Sequence, residues 1–182
     1  MRPISFLLPT WRVGLRVNAG IHNMAASKKS VLFVCLGNIC RSPTAEAVFT
    51  HIISEKGLSD EWIIDSCGTA DYHIGSPPDD RAVECLKKHN VPVNHACRQI
   101  TRDDFTKFQY IFGMDESNLR NINAVKPNES TANIMLLGSY DPKGHKIIQD
   151  PYYGGVAGFE VVFEQVTRCC EEFLKEVYSE KK

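Results

Sequence analysis

The sequence predicts an α/β domain built on a mostly parallel sheet. Segments of strand and helix character alternate from Ser30 onward. Alternation of that kind implies parallel strands joined by helical crossovers, which are right-handed in nearly all cases. The first strand-like run, Val31-Leu32-Phe33-Val34, is apolar at every position, as suits a strand covered on both faces. Three chemically suggestive segments follow predicted strands: residues 35–42, Asp115, and the long loop that holds Asp150. In open α/β sheets ligands sit beyond the carboxyl ends of the strands, where the strand order reverses. The architecture therefore lets these three segments converge.

The elements follow in order. Pro43 suits the first position of a helix, where a missing amide proton costs nothing. Ala45, Val48, Phe49 and Ile52 give that helix an apolar stripe at i, i+3, i+4 and i+7, and Gly57 stops it. Residues 62–66 read as the second strand, before a polar, Pro-rich loop over 69–78. Residues 79–89 read as a helix, with Ala82, Val83, Cys85 and Leu86 near one face. Thr101 can cap a short turn running to Phe108. Residues 110–114 form the third strand, 115–123 a short helix opened by the Asp115 cap, and 134–137 the fourth strand. Residues 139–158 are a long loop rich in Gly, Pro, Asp and Tyr. The last helix, 159–178, carries a broad apolar face that includes Cys169 and Cys170, read as core residues. No repeat and no second domain emerges.

A chain of 182 residues fits one domain. A formal net charge of −1 gives no general pull toward nucleic acid or anionic membrane, so any anion binding must be local. Seven cysteines, an odd number spread along the chain, do not suggest a secreted disulfide framework and suit a reducing compartment. No zinc-type spacing of Cys and His is present, and no metal is expected. No apolar run approaches the ~18 residues of a membrane span. The stretch 1–30 holds Arg2, Arg12, Arg16, Lys28 and Lys29, and the first acid in the chain is Glu46. Residues 1–29 are expected to be an extension, disordered or cleaved, with Met24 as the working start and residues 30–182 as the domain. Mitochondrial targeting is the less favoured alternative for this acid-free leader; the expectation is a cytoplasmic protein.

The chemistry concentrates in Cys35-Leu36-Gly37-Asn38-Ile39-Cys40-Arg41-Ser42-Pro43. C-x5-R alone is a weak pattern, met often by chance. Set between a buried strand and a helix start, with Gly-Asn inside and Ser-Pro after, it reads as an anion cradle. A tight loop can turn its backbone N–H groups inward, and the following helix adds its unpaired amides and the positive end of its dipole. Arg41 adds a planar fork for two phosphate oxygens. Cys35 lies below where phosphorus would sit, and the same field favours its nucleophilic thiolate. Ser42 can donate to that sulfur. Gly37 and Asn38 both suit positive φ. Asp150, in Gln149-Asp150-Pro151-Tyr152-Tyr153-Gly154, is the candidate general acid, although Asp-Pro also commonly starts a turn. Tyr152 and Tyr153 offer an aromatic wall.

These residues resemble the low-molecular-weight protein tyrosine phosphatases. The loop from Cys35 to Pro43 is similar to that family's signature loop, and Asp150-Pro151-Tyr152-Tyr153 to its general-acid loop. Asp115-Glu116-Ser117-Asn118-Leu119 and the run from Leu136 to Pro142 match as well. The resemblance spans about residues 30–178. It implies a three-layer α/β/α fold with a four-stranded parallel sheet, and hydrolysis of phosphotyrosine through phosphocysteine, without cofactor or metal. Leu36, Gly37, Asn38, Ile39, Cys40 and Ser42 would form the phosphate-binding loop. Asn38, Ser42 and His95 would belong to a network that holds it, Asp115 would support the site, and Tyr72 would line the cleft. The resemblance also implies a reversible Cys35–Cys40 disulfide under peroxide, phosphotyrosine proteins as partners, and a monomer or weak self-association. Rival readings are arsenate reduction, phosphoarginine hydrolysis and a catalytically silent phosphate-binding adaptor. Arsenate reduction needs extra resolving cysteines near the site, and residues 115–123 contain none. Ile39 and Tyr152 favour phosphotyrosine over phosphoarginine. An adaptor would not need Cys35, Arg41 and Asp150 together.

Overall fold

The structure, a computed structural model, describes residues 28–179. The expectation for residues 1–29 lies outside the described residues apart from Lys28 and Lys29. Four strands, β1 (Lys29–Cys35), β2 (Trp62–Gly68), β3 (Tyr110–Gly113) and β4 (Asn133–Leu136), alternate with five helices, α1 (Arg41–Glu55), α2 (Asp80–Lys88), α3 (Asp104–Lys107), α4 (Glu116–Val125) and α5 (Val156–Ser179). The sheet runs β2-β1-β3-β4 and every pair is parallel. The strand order reverses between β1 and β3, so Cys35 at the end of β1 and Asp115 just after β3 flank the switch point.

β1 is central and covered on both sides, as its unbroken apolar run requires. Val31 and Phe33 face a core built with α1 and α5. Leu32 and Val34 face a second core with Ile111 of β3 and with Phe105, Phe108 and Ile122 from the α3 and α4 side. The period of two along the strand thus feeds two cores, and helices on both faces complete three layers. The larger core is aromatic. Phe173 of α5 lies 4.9 Å from Phe112 and 5.6 Å from Phe49, centroid to centroid. Pairs of this kind add about 0.5–1.5 kcal/mol beyond area burial. Cys169 and Cys170 are fully buried in the same core.

Several boundaries differ from expectation, each for a local reason. α1 begins at Arg41, so Pro43 is its third residue rather than its first. Amides of the first turn have no partner within the helix, so the imino acid is tolerated there too. Near α3 the capping is reversed: the buried Asp104 carboxylate accepts from the Thr101 amide and hydroxyl. α5 starts at Val156, inside the stretch expected to be loop; Gly154, Gly155 and Gly158 disguise its first turn. A short 3₁₀ turn, Leu137–Tyr140, takes the last residue of the expected fourth strand and the first two of that stretch. Among the described residues no helix is long and apolar enough to cross a membrane.

Candidate active site

β1 delivers Cys35 to the switch point, opposite Gly68 in the register with β2. The chain then turns sharply into α1. The Cys35 Sγ lies 3.0 Å from Ser42 Oγ and receives the Asn38 amide at 3.3 Å. The turn is fastened to the end of β2, where the Thr69 and Ala70 amides donate to the Cys35 and Leu36 carbonyls, each at 2.9 Å. Gly68 permits that approach, since a Cβ there would stand 2.8 Å from the Leu36 oxygen.

Asn38 takes φ of 58°, the left-handed value expected of it. Gly37 does not; its smallness instead makes room for His73, whose Cδ2 would lie 3.0 Å from an added Cβ. The Asn38 side chain braces the loop. Its Nδ2 donates to Ser42 Oγ and Ser66 Oγ, both at 2.9 Å. Its Oδ1 accepts from the Arg98 amide at 2.9 Å and faces His95 Nε2 at 2.8 Å. The other His95 nitrogen, Nδ1, lies 2.9 Å from Glu46, and Ser66 Oγ donates to that same carboxylate. Arg98 is paired in turn with Asp65 and Asp104. Sequence reasoning named Asn38, Ser42 and His95 but missed Glu46, Ser66 and Arg98, which lie on three different segments with no telling spacing. Glu46, Asp65 and His95 lie close enough to hold an ion, but each is already engaged by a residue outside the trio: Glu46 by Ser66, His95 by Asn38 and Asp65 by the Arg98 cation.

Arg41 is buried, and its fork faces acids. Nη1 contacts Asp115 Oδ2 at 2.5 Å and the Ile148 carbonyl at 3.2 Å, while Nη2 reaches Asp150 Oδ2 at 2.8 Å. Asp115 also caps α4, its Oδ1 accepting from the Asn118 amide at 2.7 Å. Asp150 starts a turn as Asp-Pro suggested, with Oδ1 accepting from the Tyr152 amide at 3.1 Å. Its side chain is 42% exposed, so the carboxyl sits at the cleft wall, in contact with water.

One residue that sequence reasoning passed over holds the tip of the Asp150 loop. Arg81, in the first turn of α2, donates to the Tyr152 and Gly154 carbonyls at 3.1 and 3.4 Å. Its remaining donors grip Asp79 at 2.8 and 2.9 Å, and it lies over the Phe159 ring. The Asp79 amide donates to the Ile39 carbonyl of the anion loop at 2.8 Å. Asp79 and Arg81 thus link the two loops. Hydrogen bonding from Arg81 is the main reason the Asp79 carboxyl titrates below its ordinary value. Beside it, burial pushes the Cys40 thiol up to about 12, with the Asp79 charge adding to the effect.

These parts enclose a cleft of about 280 Å³, lined by Cys35, Leu36, Gly37, Ile39, Cys40, Arg41, Tyr72, His73, Asp150, Tyr152 and Tyr153. Cys35 is buried at its floor, while Tyr72 and Tyr153 stand at the rim, 72% and 95% exposed. His73 is the lining residue not foreseen. Asn38, Ser42, His95 and Asp115 stand behind the cleft.

The model of the family described as low molecular weight phosphotyrosine protein phosphatase matches residues 30–182. The chain belongs to that family. The human low molecular weight phosphotyrosine protein phosphatase is 53% identical over 152 residues, covering 82% of this chain and 96% of the relative. Among solved structures, a protein tyrosine phosphatase from Entamoeba histolytica, with Hepes in its active site, superposes with a TM-score of 0.81 at 35% identity, covering 85% of this chain and all of that one. A drosophila arginine phosphatase superposes with a TM-score of 0.76 at 41% identity, covering 81% of this chain and 96% of that one.

Proposed function

We propose that this chain hydrolyses phosphotyrosine in proteins, and small aryl phosphates, through a phosphocysteine intermediate on Cys35. The Cys35 thiolate attacks phosphorus, the S–P bond forms and the P–O bond to the ring breaks. Asp150 gives its proton to the departing phenol oxygen. Water then attacks phosphorus and passes a proton to Asp150, the S–P bond breaks and inorganic phosphate leaves. The Ser42 hydroxyl and Asn38 amide beside Sγ support sulfur both as nucleophile and as leaving group. Arg41 and the amides of residues 36–41 hold the equatorial oxygens. Asp115 aims Arg41, and His95 with Asn38 keeps the loop in shape. No step requires a metal or cofactor.

The observation that carries this reading is the convergence of three groups on one cleft: a buried thiol flanked by hydrogen-bond donors, a buried guanidinium and a solvent-touched carboxyl. The rim of Tyr72, Tyr152 and Tyr153 suits a flat ring, and a buried Cys35 inside an exposed rim favours a long phosphotyrosine side chain over phosphoserine. The test is turnover of a phosphotyrosine peptide beside a phosphoserine peptide, with EDTA throughout. Wild type should cleave only the first. Cys35→Ser should be inactive and Asp150→Ala slowed by about 100-fold or more. A wild type that binds phosphate without turnover would replace the enzyme with an adaptor.

The drosophila arginine phosphatase, 41% identical, motivates a second reading, hydrolysis of phosphoarginine. Ile39 and Tyr152 in the cleft lining argue for the aryl substrate. A phosphoarginine peptide in the same assay decides: faster turnover than phosphotyrosine overturns the first reading.

The cleft also carries a redox expectation. Cys35 and Cys40 both line it, and oxidation of Cys35 to sulfenic acid followed by condensation with the Cys40 thiol would yield a disulfide and water. Peroxide should therefore inactivate wild type reversibly, and Cys40→Ser irreversibly; full activity of peroxide-treated wild type would rule the pair out. Seven free, buried cysteines suit the cytoplasm, with the protein acting as a monomer or weak self-associate. Fluorescent fusions of the full chain and of one starting at Met24 test the location.

A further inference from the structure

The far end of α2 carries a cluster that the reaction at Cys35 does not use. Cys85 and His89 stand four residues apart, the spacing that puts two side chains on one helix face. Glu160, near the start of α5, meets them. His89 Nε2 lies 2.7 Å from Glu160 Oε2. The His89 ring is held by stacking on Phe163, at 3.9 Å between centroids and 12° between planes. One ligand atom from each of Cys85, His89 and Glu160 lies within 4.8 Å of the others. Cys85 is buried, whereas the His89 and Glu160 side chains are 38% and 34% exposed. The thiol is therefore on the inside and the opposite side faces water.

We propose that Cys85, His89 and Glu160 form a binding site for a zinc-type divalent ion that staples the end of α2 to the start of α5, with water as the fourth ligand. One thiolate, one imidazole nitrogen and one carboxylate oxygen are donors that suit a borderline-soft ion in tetrahedral geometry. Bonds of roughly 2.0–2.3 Å to such an ion place its ligands about 3.3–3.8 Å apart. Separations of up to 4.8 Å in the cluster need to close by at most about 1 Å, and the 2.7 Å His89–Glu160 contact to open by roughly 0.6 Å. Both adjustments fall on side chains at the surface end of the cluster. Binding exchanges bonds without oxidation: the Cys85 S–H bond breaks, its proton goes to the buffer, and the metal–sulfur bond forms. Any proton held between His89 and Glu160 leaves in the same way. Lys88 is the cation beside the cluster, and it opposes the ion.

The plainer alternative is a hydrogen-bonded trio in which Glu160 accepts from both Cys85 and His89. The two accounts part on the thiolate, which only the metal needs. They also part on consequence. α2 carries Arg81 at its other end, and α5 begins directly after the Asp150 loop. An ion joining α2 to α5 therefore ties together the two helices that hold that loop.

The test uses the full chain, reduced and free of oxygen, in a Cys35→Ser background so that the cleft thiol does not compete. Cobalt(II) is titrated while the thiolate-to-cobalt charge-transfer band is followed. Zinc is then added to displace it, and melting is recorded with and without zinc. The expected result is one equivalent bound, a band that zinc abolishes, and a Tm that rises with zinc concentration. Cys85→Ser should remove the band. His89→Ala and Glu160→Gln, changes at partly exposed positions, should weaken binding by at least about 10-fold, the loss usual for disturbing even a ligand's supporting hydrogen bond. Absence of a band at one equivalent overturns the proposal. So does a band, or a zinc-dependent rise in Tm, that survives His89→Ala unchanged, because the ion would then sit elsewhere.

Discussion

The two loops that meet over the cleft are built differently. The loop that follows Cys35 is braced from behind by buried side chains: Asn38 alone joins Ser42, Ser66, His95 and the Arg98 amide. The loop bearing Asp150 is exposed at its tip and held by separate anchors. Arg81 grips the tip, Gln165 donates to the His145 and Ile147 carbonyls, and Arg168 pairs with Asp141 near the start. The difference suits the proposed chemistry. In-line attack needs sulfur and the phosphate cradle fixed to a fraction of an ångström. A proton donor that later becomes a base needs access to water and some freedom to move. One loop should therefore fail as a unit when disturbed, and the other by parts.

The largest effect tests the first half of that statement. Asn38→Ala removes four hydrogen bonds from a buried site and leaves their partners unsatisfied, at about 1–3 kcal/mol for each partner that finds no substitute. It also puts alanine at positive φ, a further cost of about 1–2 kcal/mol. We expect a stability loss of at least ~3 kcal/mol by denaturant unfolding. In the protein that remains folded, kcat should fall by about 100-fold, as when one preorganised donor is lost. A mild, purely local effect would mean that the loop is not a unit.

Next comes the base of the acid loop. The Asp141 carboxylate is fully enclosed and accepts from Arg168 Nε and Nη2 and from the Lys143 amide, at 3.0–3.1 Å. Burial pushes its titration up, but the Arg168 and backbone hydrogen bonds outweigh this and hold it below the ordinary value. A carboxyl depressed in the folded state stabilises the protein above its unfolded pKa of about 4, and the contribution disappears as pH falls through the folded value. Asp141→Asn should cost about 1–3 kcal/mol at neutral pH, and its Tm should converge on that of wild type in acid. A gap that persists at low pH would assign the effect to packing.

Arg81 sharpens the comparison at the tip. If it positions Asp150, Arg81→Ala should hurt substrates in proportion to their need for a proton. Turnover of an aryl phosphate with a poor leaving group should fall by about 10-fold, short of the full loss of the acid. One with a good leaving group should hardly change. Arg81→Lys, which keeps the charge but not the fork, should recover part of the rate. An equal loss on both substrates would show that the anion loop had moved instead.

What was legible in the sequence follows the same division. The run from Cys35 to Ser42 is contiguous, so loop, thiol and guanidinium could be read from one string, and Asp150 from a second. Apolar runs and stripes located the strands and the two long helices, because burial on one or both faces leaves a periodic trace. The bracing was not legible. Glu46, Ser66 and Arg98 are ordinary polar residues whose roles exist only once α1, β2 and the segment before α3 pack together. Arg81 lay in plain view in the first turn of α2, but nothing local tells a helix-starting arginine from one that reaches across to another loop. Even Gly37 was understood for the wrong reason, since its constraint comes from His73 across the cleft and not from its own φ.

The smallest expected effect sets the outer limit of the acid loop's role. Tyr153 is 95% exposed and packs only edge-on against Tyr152, at 5.0 Å between centroids. So open a side chain should contribute within about 0.5 kcal/mol to stability. Against a bound aryl ring it can add about 0.5–1.5 kcal/mol, or roughly 2- to 10-fold in affinity. Tyr153→Ala should therefore raise KM for a phosphotyrosine peptide by that factor and leave kcat and Tm in place. Should kcat fall on poor leaving groups alone, as for Arg81→Ala, the ring would be helping to hold Asp150. The movable loop would then extend its positioning function to its most exposed residue, and the contrast with the braced loop would lie in the number of anchors alone.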